Sequence, residues 1–296
     1  MKIRLPFVHR DIKKAIFFTL CGWLSFSLMY LVSKIVGPQS NVATMVFFRN
    51  VIGILAITPF IIRRFPKSLE VKSFRIIFIR AFSGLGNLIF LFLAIQKLSL
   101  VNATLLNNTA PFFVPFLLWL FLKAPVEKKV WPAIVVGFMG VALILRPDTI
   151  IFNLGSIYGI LSGICLAITT ISLRSVARSA HVTTYVFYFF LIGLIATTPF
   201  AIAYWEMPSL LILLGLLSIG LFSCLGQLFV YFGMREAKPE QIAPFSYSTV
   251  IFAGLFDWML WGDIPPLLSF LGMALIILAG AWIALSSKPS SQNLSY

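Results

Sequence analysis

Apolar residues in this chain neither alternate with polar ones nor keep to one helical face; they run almost unbroken for long stretches separated by short polar connections. Ten such runs can be delimited, at 16–36, 42–62, 74–95, 101–122, 130–145, 154–174, 184–204, 210–232, 241–261 and 267–285. About 20 apolar residues in helical conformation cross a hydrocarbon core, so each run predicts a membrane-spanning helix. The connections carry helix breakers: Gly37-Pro38, Pro66, Pro125, Arg146-Pro147, Pro208, Pro239 and Pro265-Pro266. They leave no length for a separate soluble domain. The first run follows a basic segment, but it is longer than the apolar core of a signal peptide and no small-residue cleavage site follows it, so it is read as a span. The expected fold class is an all-α membrane protein with ten transmembrane helices.

Composition agrees with the pattern. Sixty per cent of the residues are hydrophobic and 11% charged, too apolar a balance for a water-soluble surface. The formal charge of +14 raises nucleic acid as a partner. Nucleic-acid binding needs basic residues gathered on a soluble face, whereas here they sit in short loops, so no nucleic-acid partner is expected. Their distribution gives orientation instead. With the N-terminus inside, the segments facing the cytoplasm collect nearly all Lys and Arg, while the opposite side receives only Lys34, Lys97 and Arg146. This predicts a multi-pass protein of a bacterial inner membrane with both termini cytoplasmic, its basic loops against anionic lipid. Cys21, Cys165 and Cys224 are far apart inside apolar runs, with no CxxC pair and no His at ligand spacing. They read as small buried hydrophobes, and neither metal nor cofactor is expected.

An offset of 140 residues relates the first half of the chain to the second. Val42 pairs with Val182, Thr44 with Thr184, Phe47 with Phe187 and Gly53 with Gly193, and Thr58-Pro59-Phe60 recurs as Thr198-Pro199-Phe200. Further on, Phe82-Ser83 matches Phe222-Ser223, Leu85-Gly86 matches Leu225-Gly226, and Pro125, Gly140 and Leu145 match Pro265, Gly280 and Leu285. The Pro, Gly and Thr pairs carry the weight, because Leu and Phe match by chance in apolar sequence. The expected units are residues 12–147 and 152–287, each holding five spans. An odd number makes the second unit enter the membrane from the opposite side, the inverted repeat that supports alternating access.

Four segments carry a family resemblance: Val46-Phe47-Phe48-Arg49 leading to Thr58-Pro59-Phe60; Phe78-Ile79-Arg80-Ala81; the stretch from Ala103 to Pro111; and Ala243-Pro244-Phe245 continuing to Gly262-Asp263. In this order they resemble the EamA-type branch of the drug/metabolite transporter superfamily, over essentially the whole chain. The resemblance implies ten helices, cytoplasmic termini, a central cavity and a small metabolite as substrate. Where the family's fourth helix usually ends on an acidic residue this chain has Leu122-Lys123, and the acidic counterpart stands only in the second copy, as Asp263. Within the family, the Phe-Phe-Arg and Ala-Pro-Phe segments look most like importers of S-adenosylmethionine.

Polar residues inside spans are the candidates for chemistry, because hydrocarbon cannot satisfy them. Thr104, Asn107, Asn108 and Pro111 follow i, i+3, i+4, i+7 spacing on the fourth span, and Pro244, Tyr247, Ser248 and Ile251 stand at the corresponding positions of the ninth. Ser83, Asn87 and Phe90 share a face of the third span, as Ser223, Gln227 and Tyr231 do in the eighth. Asn87 and Gln227 are repeat mates. Together these faces would enclose a cavity of amide, hydroxyl and aromatic groups suited to an uncharged or zwitterionic metabolite. The competing reading is interhelical hydrogen bonding. Arg49, the one basic residue read as lying well inside a span, sits roughly 10 Å along the axis from its outer end. It would bind a substrate carboxylate or make a structural bond to another helix. Lys34 and Arg174, also repeat mates, read as complements to helix dipoles.

Asp257 is the sole carboxylate inside a span and no GxxxxGK loop is present, so exchange or facilitated diffusion fits as well as proton symport and ATP hydrolysis is not expected. An integral-membrane lipid enzyme would need paired carboxylates, a metal cluster or an activated nucleophile, which the sequence does not offer. A lipid-head-group flippase of the same fold remains the alternative to a carrier of soluble metabolites.

Overall fold

The computed structural model describes residues 11–62, 74–122, 131–145, 154–176, 182–236, 242–263 and 267–286. The described residues are helical, with no strand among them. In order they form α1 (Ile12–Val36), a 3-10 turn (Gly37–Gln39), α2 (Val42–Ile62), α3 (Phe74–Ile95), α4 (Leu100–Asn107), α5 (Ala110–Leu122) and α6 (Trp131–Leu145). The second half comprises α7 (Leu154–Val176), α8 (Val182–Ala203), α9 (Leu210–Glu236), a second 3-10 turn (Ala243–Tyr247), α10 (Ser248–Trp261) and α11 (Leu267–Ser286). Seven of these segments, α4 and α5 counting together as one, are long and apolar enough to cross a membrane, while α6 and α11 are shorter apolar helices. Most loop cations behind the orientation reading, and the Pro125 and Pro265 pair, lie outside the described residues.

Local chemistry sets the helix ends. Asp11 caps α1, its carboxylate accepting the backbone N–H groups of Lys13 and Lys14. The Asn41 side chain accepts from Thr44 N at 2.8 Å at the start of α2, and Ser99 accepts from Asn102 N at 3.2 Å at the start of α4. Gly262 ends α10 in the left-handed region, at φ 67°, and its N–H reaches back to Trp258 O at 3.1 Å. The fourth run, read as one helix, is broken: α4 ends at Asn107 and α5 begins at Ala110. Pro111, which has no N–H to give, stands just past the gap, while the Asn108 and Thr109 N–H groups turn back to Thr104 O and Leu106 O at 2.9 and 3.2 Å.

The principal partners are α1 with α9, α3 with α7, α6 with α11, α2 with α8, α2 with α9, α4 with α7, α5 with α7, α3 with α8, α1 with α10, and α4 with α10. Replacing each helix by its counterpart 140 residues away converts α1·α9 into α7·α3 and α2·α9 into α8·α3, and returns α2·α8, α6·α11 and α4·α10 to themselves. The close approaches repeat too. A Cβ on Gly53 would strike the Phe190 ring, and one on Gly193 would lie 2.8 Å from Asn50 Nδ2. Positions 53 and 193 are mates, as are 50 and 190. Thr58 and Thr198 likewise each bond back one turn, to Ile54 O and Leu194 O, at 2.7 Å beside their prolines. Outward faces carry large exposed apolar side chains such as Phe17, Leu55, Ile202, Leu211 and Leu267, as contact with lipid tails requires.

Two readings of charge are corrected by the packing. Arg80 was counted with the cytoplasmic cations, yet it is buried, and its Nη1 donates to Thr169 O at 3.2 Å. Arg80 stands six residues into α3, nearly as deep as Arg49 in α2, so its side chain lies in the interior rather than in a loop. Lys34 does not simply complement a helix dipole: its Nζ lies 2.8 Å from Asp257 Oδ1 and 4.2 Å from the centre of the Trp261 ring.

Candidate substrate site

The polar groups buried between the two halves fall into three clusters. The first surrounds Arg49 on α2. Its Nε donates to Ser223 Oγ on α9 at 2.9 Å and its Nη1 to Asn50 Oδ1 at 3.0 Å. The guanidinium carbon stands 5.1 and 5.0 Å from the ring centres of Phe189 and Phe190 on α8, so the charge is packed against apolar rings. Phe189 is the repeat mate of Arg49, and Phe190 that of Asn50. Arg49 on α2 thus packs against the positions of α8 that stand 140 residues from it and from its neighbour Asn50. Among the described residues, Arg49 has no carboxylate partner.

The second cluster is built on Ser162 of α7. Asn87 Nδ2 on α3 donates to Ser162 O at 2.9 Å, and Asn107 Nδ2 at the end of α4 donates to Ser162 Oγ at 3.1 Å. Ser162 Oγ in turn donates to Gly159 O at 2.6 Å. Two predicted site residues therefore meet at a serine that sequence reasoning passed over. Its position gave little signal, since its mate in the first half is Gly22.

The third cluster joins α4 to α10 at the helix break. Asn108 Nδ2 donates to Thr104 O at 2.9 Å and to Thr249 Oγ1 at 3.2 Å, while Thr104 Oγ1 turns back to Leu100 O at 2.7 Å. Ser248 Oγ donates to Phe245 O at 2.7 Å, closing the 3-10 turn that opens α10. Thr249, not singled out from the sequence, is the residue through which α10 meets Asn108.

The remaining predicted residues stand apart. Gln227 and Tyr231 lie one and two turns beyond Ser223 on α9, half-buried, with no side-chain hydrogen bond among the described residues. Tyr247 packs in the apolar cluster with Phe112, Ala133, Ile134, Ile276 and Ala279, its hydroxyl against Gly280 and without a hydrogen-bond partner among the described residues. It is therefore not brought together with Arg49. The faces expected to line a cavity are closed on one another: Arg49 is 4% exposed, and Asn50 and Ser223 are 0%. A hollow of about 240 Å³ lies elsewhere, lined by Gln39, Ser40, Asn41, Thr44, Glu206 and Ser209 between the start of α2 and the α8–α9 connection.

At one end of the bundle the halves are tied by a charge pair. Asp257 of α10, 1% exposed, accepts from Lys34 Nζ of α1 through Oδ1 and from Val101 N in the first turn of α4 through Oδ2, at 2.8 and 2.9 Å. No group of three or more metal-ligating side chains occurs among the described residues.

The comparisons with known proteins agree with this architecture. The pseudopaline exporter of Pseudomonas aeruginosa is 27% identical over 270 residues, spanning 90% of this chain and 95% of its own length. An S-adenosylmethionine uptake transporter of Rickettsia felis is 23% identical over 280 residues, spanning 92% and 94%. A solved crystal structure superposes with a TM-score of 0.66 at 14% identity, covering 92% of this chain and 97% of the other, and shares the fold. The model of the EamA-like transporter family matches twice, over residues 13–146 and 153–285, and the chain belongs to that family: it is a transporter and not an enzyme.

Proposed function

We propose that this protein carries a small polar metabolite across a bacterial inner membrane by alternating access, through ten spans arranged as two inverted five-helix repeats at residues 12–147 and 152–287. The observation that carries the reading is a cation, Arg49, buried where α2, α8 and α9 meet and neutralised by no carboxylate among the described residues. A charge so placed in a membrane protein is costly, and substrate pathways are where such costs are met. The exchange of principal helix pairings between the halves supports two units that rock against each other.

The binding surface in this reading runs from Arg49 along the Asn87 and Asn107 cluster to Thr104, Asn108 and Ser248, with Gln227 and Tyr231 bordering it. Tyr247, turned into the apolar cluster, contributes shape rather than a hydrogen bond. The named relatives include an exporter and an uptake transporter of metabolites, and they support this substrate class in either direction.

Reconstituted vesicles test the proposal. Labelled S-adenosylmethionine and amino acids are offered as solutes beside a fluorescent phospholipid, and solute accumulation or exchange is expected. Lipid scrambling with no movement of any solute would favour the flippase. Orientation has its own test. Tags at both termini and within 63–72 should be protected from an impermeant reagent in whole cells, while cysteines within 37–41 and 205–209 should label. A C-terminus that labels from outside would contradict the even number of spans.

A further inference from the structure

We infer that Arg49, Asn50 and Ser223 form an anion subsite that takes a carboxylate of a small organic acid or zwitterion, and that this carboxylate supplies the countercharge on which closure of the two halves depends. The inference rests on the transport reading above and specifies its substrate class. Among the described residues, every partner of the Arg49 guanidinium is neutral: Ser223 Oγ, Asn50 Oδ1 and the faces of Phe189 and Phe190. Hydroxyl and amide oxygens satisfy N–H groups but leave the charge uncancelled. Toward the described residues only Nε and Nη1 are engaged in hydrogen bonds, so the planar fork keeps donor capacity for a further acceptor.

A second, independent donor lies beside it. Asn50 is 0% exposed; its Oδ1 accepts from Arg49, and its Nδ2 has no hydrogen-bond partner among the described residues. A buried amide left unbonded costs free energy that an arriving acceptor would recover. Position 193 faces that nitrogen and is glycine; a Cβ there would sit 2.8 Å from Nδ2 and cover it. The surrounding charge has the same sign, with the Arg80 guanidinium 5.7 Å from the centre of the same Phe189 ring. Asp257, the buried carboxylate among the described residues, is committed to Lys34 and Val101 N. A cation without a carboxylate would therefore meet repulsion in this site, and an acid would meet its counter-ion.

The test uses the purified full-length protein in detergent. It is equilibrated with malate, citrate, glutamate and other amino acids, and with the carboxylate-free cations choline and spermidine; retained solutes are read by mass spectrometry after rapid gel filtration. Retention of one or more carboxylates is expected, reduced tenfold or more in Arg49→Gln. Asn50→Asp is the sharper variant. It places a carboxylate of nearly the same shape on Arg49, so it should raise the melting temperature of the empty protein and abolish carboxylate retention, and it keeps the test decisive if Arg49→Gln does not fold. The inference is overturned if choline or spermidine is retained instead, if Asn50→Asp retains carboxylates as wild type does, or if no carboxylate is retained. Vesicle uptake separates the two levels: movement of a neutral or cationic solute without carboxylate retention removes only the subsite, whereas movement of lipid alone removes the transport reading as well.

Discussion

Replacing Asp257 by Leu is expected to destabilise the protein by about 3–5 kcal/mol, the usual cost of removing one partner from a buried ion pair. The change strands two groups at once. Lys34, 16% exposed on its side chain, loses its counter-ion at 2.8 Å, and the Val101 N–H, held by Oδ2 at 2.9 Å, loses its acceptor in the first turn of α4. Asp257→Asn keeps an acceptor for Val101 N and should fall between wild type and Asp257→Leu. Lys34→Met leaves the carboxylate buried without its cation and should cost a comparable amount. The double variant Lys34→Met with Asp257→Leu removes both charges together, and it should recover a kcal/mol or more relative to the sum of the single variants, on the order of couplings between contacting groups. Denaturation of the four proteins in detergent measures the cycle. Strict additivity would mean that the pair contributes nothing beyond two independent side chains. Because the pair joins α1 and α4 of the first half to α10 of the second, the double variant should also loosen that end of the bundle. Faster labelling of a cysteine introduced at Asn102 reports it.

The second large effect is expected at Gly163 of α7. A Cβ there would lie 2.6 Å from Thr109 Oγ1 and 2.8 Å from Leu106 O, at the break between α4 and α5. The carbonyl is backbone and cannot rotate aside. Gly163→Ala should therefore cost about 1–3 kcal/mol, the range for overfilled interiors, and Gly163→Val more. The same displacement would pull Asn107 from Ser162, one residue before Gly163, so solute uptake should fall even in the fraction that stays folded. Gly254→Ala is the control. Its added methyl would meet only Val101 Cγ2, at 3.3 Å, and a small rotation of that side chain relieves the contact. Equal melting temperatures for Gly163→Ala and wild type would show that the α4–α5 break gives way freely.

Much of the architecture was legible in the sequence because each part rests on local physics or on simple identity at a fixed spacing. Unbroken apolar length marks a helix in lipid, Pro and Gly mark where it stops, and α2, α3 and α9 begin and end close to where those signals fall. The 140-residue offset makes position 189 the mate of Arg49, but that the Arg49 guanidinium stands 5.1 Å from the Phe189 ring centre is visible only in the packing. Two local readings failed for a shared reason. The helical face Thr104, Asn107, Asn108, Pro111 assumes one continuous helix, and the orientation reading counts Arg80 with the cytoplasmic cations from its place near the start of the third run; a short break and the burial of the Arg80 side chain change both.

The tertiary structure alone decided how the polar groups are satisfied. Lys34 and Asp257 are 223 residues apart, Arg49 and Ser223 174, and Asn108 and Thr249 141. Periodicity shows which side of a helix a residue occupies. It does not show how far a flexible side chain reaches, which of several nearby acceptors it takes, or which hydroxyl returns to its own backbone, as that of Thr104 does. Those choices depend on interhelical distances of a few ångströms, set by glycines such as Gly53, Gly163 and Gly193 meeting particular partners across the interface. The class of molecule, an all-helical chain rich in apolar spans, thus follows from composition and the length of its apolar runs. That Arg49 meets no carboxylate among the described residues, and that Lys34 is tied to Asp257, follow only from how the helices pack.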